Sequence, residues 1–147
     1  MERIYAAARA AMIRGGNPHQ WGLTHPSAAV LRADIEENRS YICVDGGRTC
    51  GVFALIFGAD PTYAVIDGAW HADRPYAAIH RLAADGRVPG IFDACLAFAK
   101  VRSDCLRADT HADNRIMQHL LTTRGFLRCG IIRIADGSPR IAYDLLL

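Results

Sequence analysis

The chain has no block of like charge, no Cys-x-x-Cys pair and no two histidines at metal-ligand spacing, and each of these gaps removes a class of function. Its 17 basic and 15 acidic residues are scattered to a net charge of +2, so no stretch is built to grip a nucleic-acid backbone. The apolar run Thr49 to Ala59 falls far short of the ~20 residues a membrane-spanning helix needs. The five cysteines are odd in number, which argues against a disulfide framework, and their spacing offers no zinc site. They read as reduced, mostly buried thiols. An N-terminus rich in alanine but interrupted by Arg3, Arg9 and Arg14 lacks the apolar segment of a signal peptide. These absences lead us to expect a cytoplasmic protein with no metal, no nucleic-acid partner and no membrane partner.

What is present suits a folded domain. With 51% apolar and 22% charged residues the composition is that of a globular protein, and 147 residues are expected to form a single domain, 1–147. Ile4, Ala7, Ala8, Ala11 and Met12 recur at helical spacing over Glu2 to Arg14, and Gly15-Gly16-Asn17-Pro18 ends that helix. A second helix is expected from about Ser27, as its cap, to Asn38. Tyr41 to Val44 and Cys50 to Phe57 are β-type runs joined by Asp45-Gly46-Gly47-Arg48, a hairpin signal. Thr62 to Trp70 reads as an irregular strand broken by Asp67-Gly68. Near the end, Gly130 to Ile134 and Arg140 to Leu145 flank Asp136-Gly137-Ser138-Pro139, a second hairpin. The sum is an α+β layer fold.

The richest stretch lies between these hairpins. A strand over Tyr76 to Ala84 enters the turn Asp85 to Gly90, and Ile91-Phe92 opens an apolar helix ending near Ser103. Such a loop-to-helix junction presents unpaired backbone N–H groups and the positive end of the helix dipole. Arg81, Arg87, Lys100 and Arg102 add basic residues that suit a phosphate-bearing ligand or a solvated surface equally. A short strand, Leu106 to Thr110, follows, then a helix from Asn114 to Arg124 closed by Gly125-Phe126. The two strands flanking the Gly90 helix belong to one βαβ unit and should run parallel, side by side.

In this order, with these residues, the chain resembles the GNAT-type N-acetyltransferases. The turn carries Arg87 and Gly90 of that family's loop pattern, with Phe92 where a glycine or alanine is usual. Asn114, Gly125 and Phe126 match its helix pattern, with Met117 in place of an alanine. The resemblance implies a three-layer fold: a mixed, mostly antiparallel sheet of about six or seven strands with a central, splayed parallel pair, flanked by about four helices. It also implies acetyl-CoA as acyl donor and direct transfer to a primary amine, carried by a small molecule or a peptide, in a ternary complex. Main-chain groups of Leu82, Ala83 and Ala84 would then meet the pantetheine arm. The turn residues Arg87, Val88, Gly90, Ile91 and Phe92 would hold the pyrophosphate, and Asn114 would contact the same arm or simply cap its helix. A homodimer is compatible with all of this.

Many members of that family carry a tyrosine seven residues after the asparagine, to reprotonate the departing thiolate; here that residue is Leu121. His111, His80 and Tyr143 are the substitutes to weigh, each with an ordinary structural role as the competing reading. Trp21, Trp70 and His71 are candidates to line the acceptor pocket, or else core residues. Leu121 and Phe92 also motivate a different class of function, a noncatalytic acetyl-CoA-binding sensor that keeps the cleft without the chemistry.

Overall fold

The computed structural model describes all residues, 1–147. Two helices come first: α1 (Glu2–Arg14), then α2 (Ala28–Glu36), whose first turn is capped by the Ser27 hydroxyl accepting from the Val30 N–H. Strands β1 (Ser40–Asp45) and β2 (Arg48–Phe57) form the first hairpin. A short 3₁₀ turn (Pro61–Tyr63) leads to β3 (Asp67–Gly68) and β4 (Ala77–Ala84). Then come α3 (Ile91–Lys100), β5 (Cys105–Thr110), α4 (Arg115–Thr123), and the closing hairpin of β6 (Leu127–Arg133) and β7 (Pro139–Leu146).

All seven strands lie in one sheet, in the order β1-β2-β4-β5-β7-β6-β3, and only the β4–β5 pair is parallel. On one face α3 and α4 cover the larger core, in which Phe92, Cys95, Leu96 and Leu121 pack on Phe53, Leu55, Ile79, Leu106 and Tyr143. On the other face α1 and α2 bury Ile4, Tyr5 and Leu31 against Val52 and Ala83, while Tyr63 covers Ala78, Ile132 and Ala142. The core thus forms two layers around a sheet whose central strands are apolar on both faces, as a parallel pair requires. All five cysteines are free thiols, four of them buried.

One sequence expectation is corrected here. Asp67-Gly68, read as the break in a Thr62–Trp70 strand, is itself the strand β3, and the residues before it form the 3₁₀ turn. The reason is steric. Gly68 and Gly130 face each other across β3 and β6, where a Cβ on either would collide with the opposite backbone. Two glycines therefore let the strands approach, and the residue type that signals a break from sequence makes the pairing.

Candidate active site

Parallel pairing between β4 and β5 lasts for three residues, Ala77 to Ile79 against Leu106 to Ala108. Beyond Ile79 the strands part. The next residues in line, His80 and Asp109, therefore stand on either side of the opening. β4 also carries a bulge there: Arg81 and Leu82 together oppose Phe53, between the pairs Ala54–His80 and Val52–Ala83. Arg81 sits in the left-handed region, at φ 53°. This conformation is unfavourable for a side chain with a Cβ, and the surroundings hold it. The Arg81 guanidinium is clamped by two hydrogen bonds of 2.7 Å to buried Asp34 on α2. The extra residue flips the alternation of the strand, so that Leu82 turns toward the α3 side and Ala83 toward α1.

The opening continues into a cleft of about 690 Å³. Phe92, Met117 and Leu121 line it from the α3–α4 side, and His80, Asp60, Trp21 and Arg140 from the other. His80 anchors its polar wall. Its Nε2 lies 2.9 Å from Asp60 Oδ2 and its Nδ1 3.8 Å from Asp109 Oδ1, which in turn accepts from the Tyr63 hydroxyl at 2.8 Å. Hydrogen bonding to His80, against the opposing effect of burial, holds the Asp60 carboxyl well below the usual carboxylate range. Burial, then the neighbouring charge of Asp109, pushes the Tyr63 phenol well above its ordinary value. In the tautomer whose Nε2–H donates to the Asp60 carboxylate, Nδ1 carries the ring's lone pair.

The Gly90 turn lies at the start of α3. Gly86 and Gly90 both adopt φ near 80°, and a Cβ at Gly90 would meet nothing within 4 Å. No side chain caps this helix, whereas Ser27 caps α2 and Asn114 caps α4. The first-turn N–H groups of α3 are thus free to face an anion. Phe92, at the position where the resemblance favours a small residue, points into the core at 5% exposure and leaves the helix end open. Arg87 is exposed and folds back on Asp85 and the Thr49 carbonyl. With Arg3 and Arg48 it lines a shallow basic hollow beside the turn. The other basic residues near this stretch in sequence lie elsewhere: Arg81 is spent on Asp34, and Lys100 and Arg102 sit at the far end of α3, about 15 Å away at the helical rise.

The remaining candidates divide. Leu82 and Asn114 line the cleft, but the Asn114 side chain is engaged: its Oδ1 accepts from the Met117 N–H at 3.0 Å and its Nδ2 donates to Gln20 at 2.8 Å. Ala83 is buried under α1, and Ala84 pairs with Gly51, so only their main chain faces the opened edge of β4. Trp21 lines the cleft and packs on Tyr5. Trp70 and His71 lie outside it. Trp70 packs on Tyr63 and carries the Arg107 guanidinium on its face, while His71 pairs with Asp144 at 2.8 Å. His111 also lies outside; its Nδ1 takes the Asp113 N–H at 3.1 Å and faces the Asp113 carboxylate at 3.4 Å. Tyr143 is a core residue, 3% exposed, whose phenol burial pushes up. Sequence reasoning missed Asp60, Asp109, Gln20 and Arg140, because each reaches the cleft from an element distant in the chain.

The fold that carries this site is shared with solved structures. An acetyltransferase of the GNAT family from Streptococcus agalactiae superposes with a TM-score of 0.86 at 27% identity, over 99% of this chain and 87% of that one. The chain has the GNAT acetyltransferase fold. A ribosomal-protein-alanine N-acetyltransferase from Brucella melitensis shares the fold at a TM-score of 0.57 and 17% identity, covering 97% of this chain and 96% of that one. So does a chain of the NatC complex bound to Gag peptide and CoA, at 0.60 and 18%, covering 100% and 92%. No family profile matches the sequence, and no curated protein matches it. In this chain the β4–β5 opening, with Ile79, His80, Ala108 and Asp109, lines the cleft, and α3 reaches it through Phe92, while the Gly90 turn lies outside the lining. No helix is long and apolar enough to cross a membrane.

Proposed function

We propose that this chain is an acetyl-CoA-dependent N-acetyltransferase that passes its acetyl group directly to a primary amine. One observation carries the reading: β4 and β5 part immediately beside a histidine held between two aspartates, in a cleft that Phe92 of the uncapped first turn of α3 also lines. The groups present fit the donor. First-turn amides of α3 and the open space at Gly90 suit a pyrophosphate, and Arg3, Arg48 and Arg87 supply positive charge nearby. The unpaired edge of β4 beyond Ile79 suits the amide-bearing arm of the cofactor, which supplies the activated thioester.

An amine attacks only when neutral. His80 Nδ1 is the lone pair placed to take its proton, and the resulting imidazolium would lie between Asp60 and Asp109. The same two carboxylates favour the approach of an ammonium. Tyr63 fixes Asp109 from behind, as an orienting group does in other base-assisted transfers. Leu121 is fully buried and apolar, so no side chain at that position protonates the thiolate. A thiol with a pKa near ~8.5 leaves without obligatory help, and solvent can supply the proton.

The test is thiol release from acetyl-CoA across a panel of amines. Turnover above the hydrolysis background supports transfer. Binding of acetyl-CoA with no turnover on any amine favours the sensor reading that Leu121 motivates, and absence of acetyl-CoA binding removes both.

A further inference from the structure

Arg140 is a buried guanidinium on the wall of the cleft, 5% exposed, and every hydrogen bond it makes goes to a neutral oxygen. Its Nη1 donates to Ser138 Oγ at 3.1 Å and to the Pro139 carbonyl at 2.9 Å, and its Nη2 reaches the Gln20 carbonyl at 3.5 Å. The nearby carboxylate of Asp136 is reached only through Ser138, whose N–H and hydroxyl both donate to it. Arg81, the other guanidinium of the cleft, has Asp34 to itself. Arg107, equally buried but outside the cleft, is held between the faces of Trp70 and Tyr76. Arg140 has neither arrangement. Its closest carboxylate, Asp136, is exposed and is held low first by its hydrogen bonds from Ser138 and in part by the Arg140 charge, yet makes no direct ion pair with it. A guanidinium withdrawn from water with no carboxylate in direct contact favours an anion that can enter beside it.

The surroundings agree. At the rim, His25 is held below its ordinary range by partial loss of water and then by the positive charges of Arg81, Arg140 and Arg9, so this part of the cleft is electropositive. The part beside the β4–β5 opening is electronegative, with Asp60 and Asp109. The two regions are close. Asp109 pairs with Ala142 on β7, and Arg140 is two residues further along the same strand, on the same face, about 7 Å away at the strand rise.

From this juxtaposition, and on the acetyltransferase reading above, we infer that the acceptor is a carboxylate-bearing amine of the free amino-acid class. Its amine meets His80, Asp60 and Asp109, and its carboxylate meets Arg140 in the fork geometry that arginine offers such groups. Gln20 and Ser138 hold the guanidinium in place.

The test compares matched acceptors at saturating acetyl-CoA: alanine, alaninamide and ethylamine; phenylalanine, phenylalaninamide and phenethylamine; and phosphoethanolamine against ethanolamine. In at least one set the acid should exceed its amide and its bare amine by tenfold or more in kcat/KM. Arg140→Met should bring that ratio to about one, and Arg140→Lys, which keeps the charge without the fork, to an intermediate value. Equal rates for acids and amides, an unchanged ratio in Arg140→Met, or a preference confined to phosphoethanolamine would overturn the inference. Calorimetric titration of the same acids into the cofactor-free protein separates this claim from the acetyltransferase reading. Binding that Arg140→Met abolishes supports the anion site even where no thiol is released, and failure of every acid to bind sinks it. Melting curves of both variants check that each is folded.

Discussion

The two halves of β4, Ala77–Ile79 and His80–Ala84, do opposite work. Ala77 to Ile79 are zipped between β2 and β5, with Ala77 and Ala78 fully buried, and their small side chains let both layers close on the sheet. His80 to Ala84 keep β2 but lose β5, acquire a bulge, and place one imidazole among carboxylates. The first half contributes to stability through burial and the second exposes backbone and polar groups to a ligand. Pairing partner and residue type change together at Ile79, and the two changes separate core from site within a single strand.

The comparison predicts that damage to the open half falls on rate. His80→Ala removes the proposed base and should lower kcat by about 10²–10⁴-fold in the thiol-release assay, with a smaller loss of stability than a core truncation. A rate within threefold of the original protein would move proton transfer to water or to another group.

Damage to the zipped half should fall on stability instead. Leu106, fully buried opposite Ala77, belongs to the main core. Leu106→Ala should cost about 2–5 kcal/mol in denaturant unfolding, while acetyl-CoA affinity of the folded fraction stays near the original value. Equal losses of stability and affinity would mean that the two halves are mechanically coupled and that the division drawn here is too sharp.

How far the sequence anticipates this division depends on how local each signal is. The turn residues around Gly90, the Asn114 cap, the Gly125-Phe126 stop and both hairpins are decided within a few positions, and the sequence reveals them. The parallel pairing of β4 and β5 follows from the connection between them. The site is different. His80 meets Asp60 across 20 positions, Arg81 meets Asp34 across 47, and Asn114 meets Gln20 across 94. No periodicity encodes such meetings. Trp70 and His71 illustrate the converse: polar aromatics that look like pocket residues in a list are absorbed by Arg107 and Asp144 once the sheet forms.

The third effect concerns the turn that follows the open half. Gly90→Glu places a carboxylate where the uncapped amides of α3 face solvent, and forces a side chain into φ 80°. Acetyl-CoA binding measured by calorimetry should weaken by at least about tenfold, or roughly 1.4 kcal/mol. Gly90→Ala carries the strain without the charge and should weaken it less. Identical losses would assign the effect to backbone distortion alone.

Acid should also act beside the open half, through Asp60. The Asp60 carboxyl is lower in the folded protein than in the unfolded chain, chiefly through its hydrogen bond with His80. A group shifted in that direction adds stability above its unfolded value, near ~3.9, and that stability is lost as pH falls toward the folded value. Asp60→Asn should therefore flatten part of the decline in stability below pH ~4, read from melting temperatures. An unchanged slope would mean that other carboxylates dominate the acid limb.

The smallest expected effect is the most discriminating. His111 and His80 are similar candidates in the sequence, each adjoining a strand of the central pair. The structure separates them: His80 faces the opening, while His111 is tied to Asp113 outside the cleft. His111→Ala should change thiol-release rates by less than about twofold and stability by less than ~1 kcal/mol, the loss of one partly exposed hydrogen bond. Its pH-rate profile should overlay that of the original protein, because no proton of the reaction passes through that ring. A flattened acidic limb in His111→Ala, with a normal one in His80→Ala, would reverse the assignment and place the chemistry at the end of β5 instead of the middle of β4.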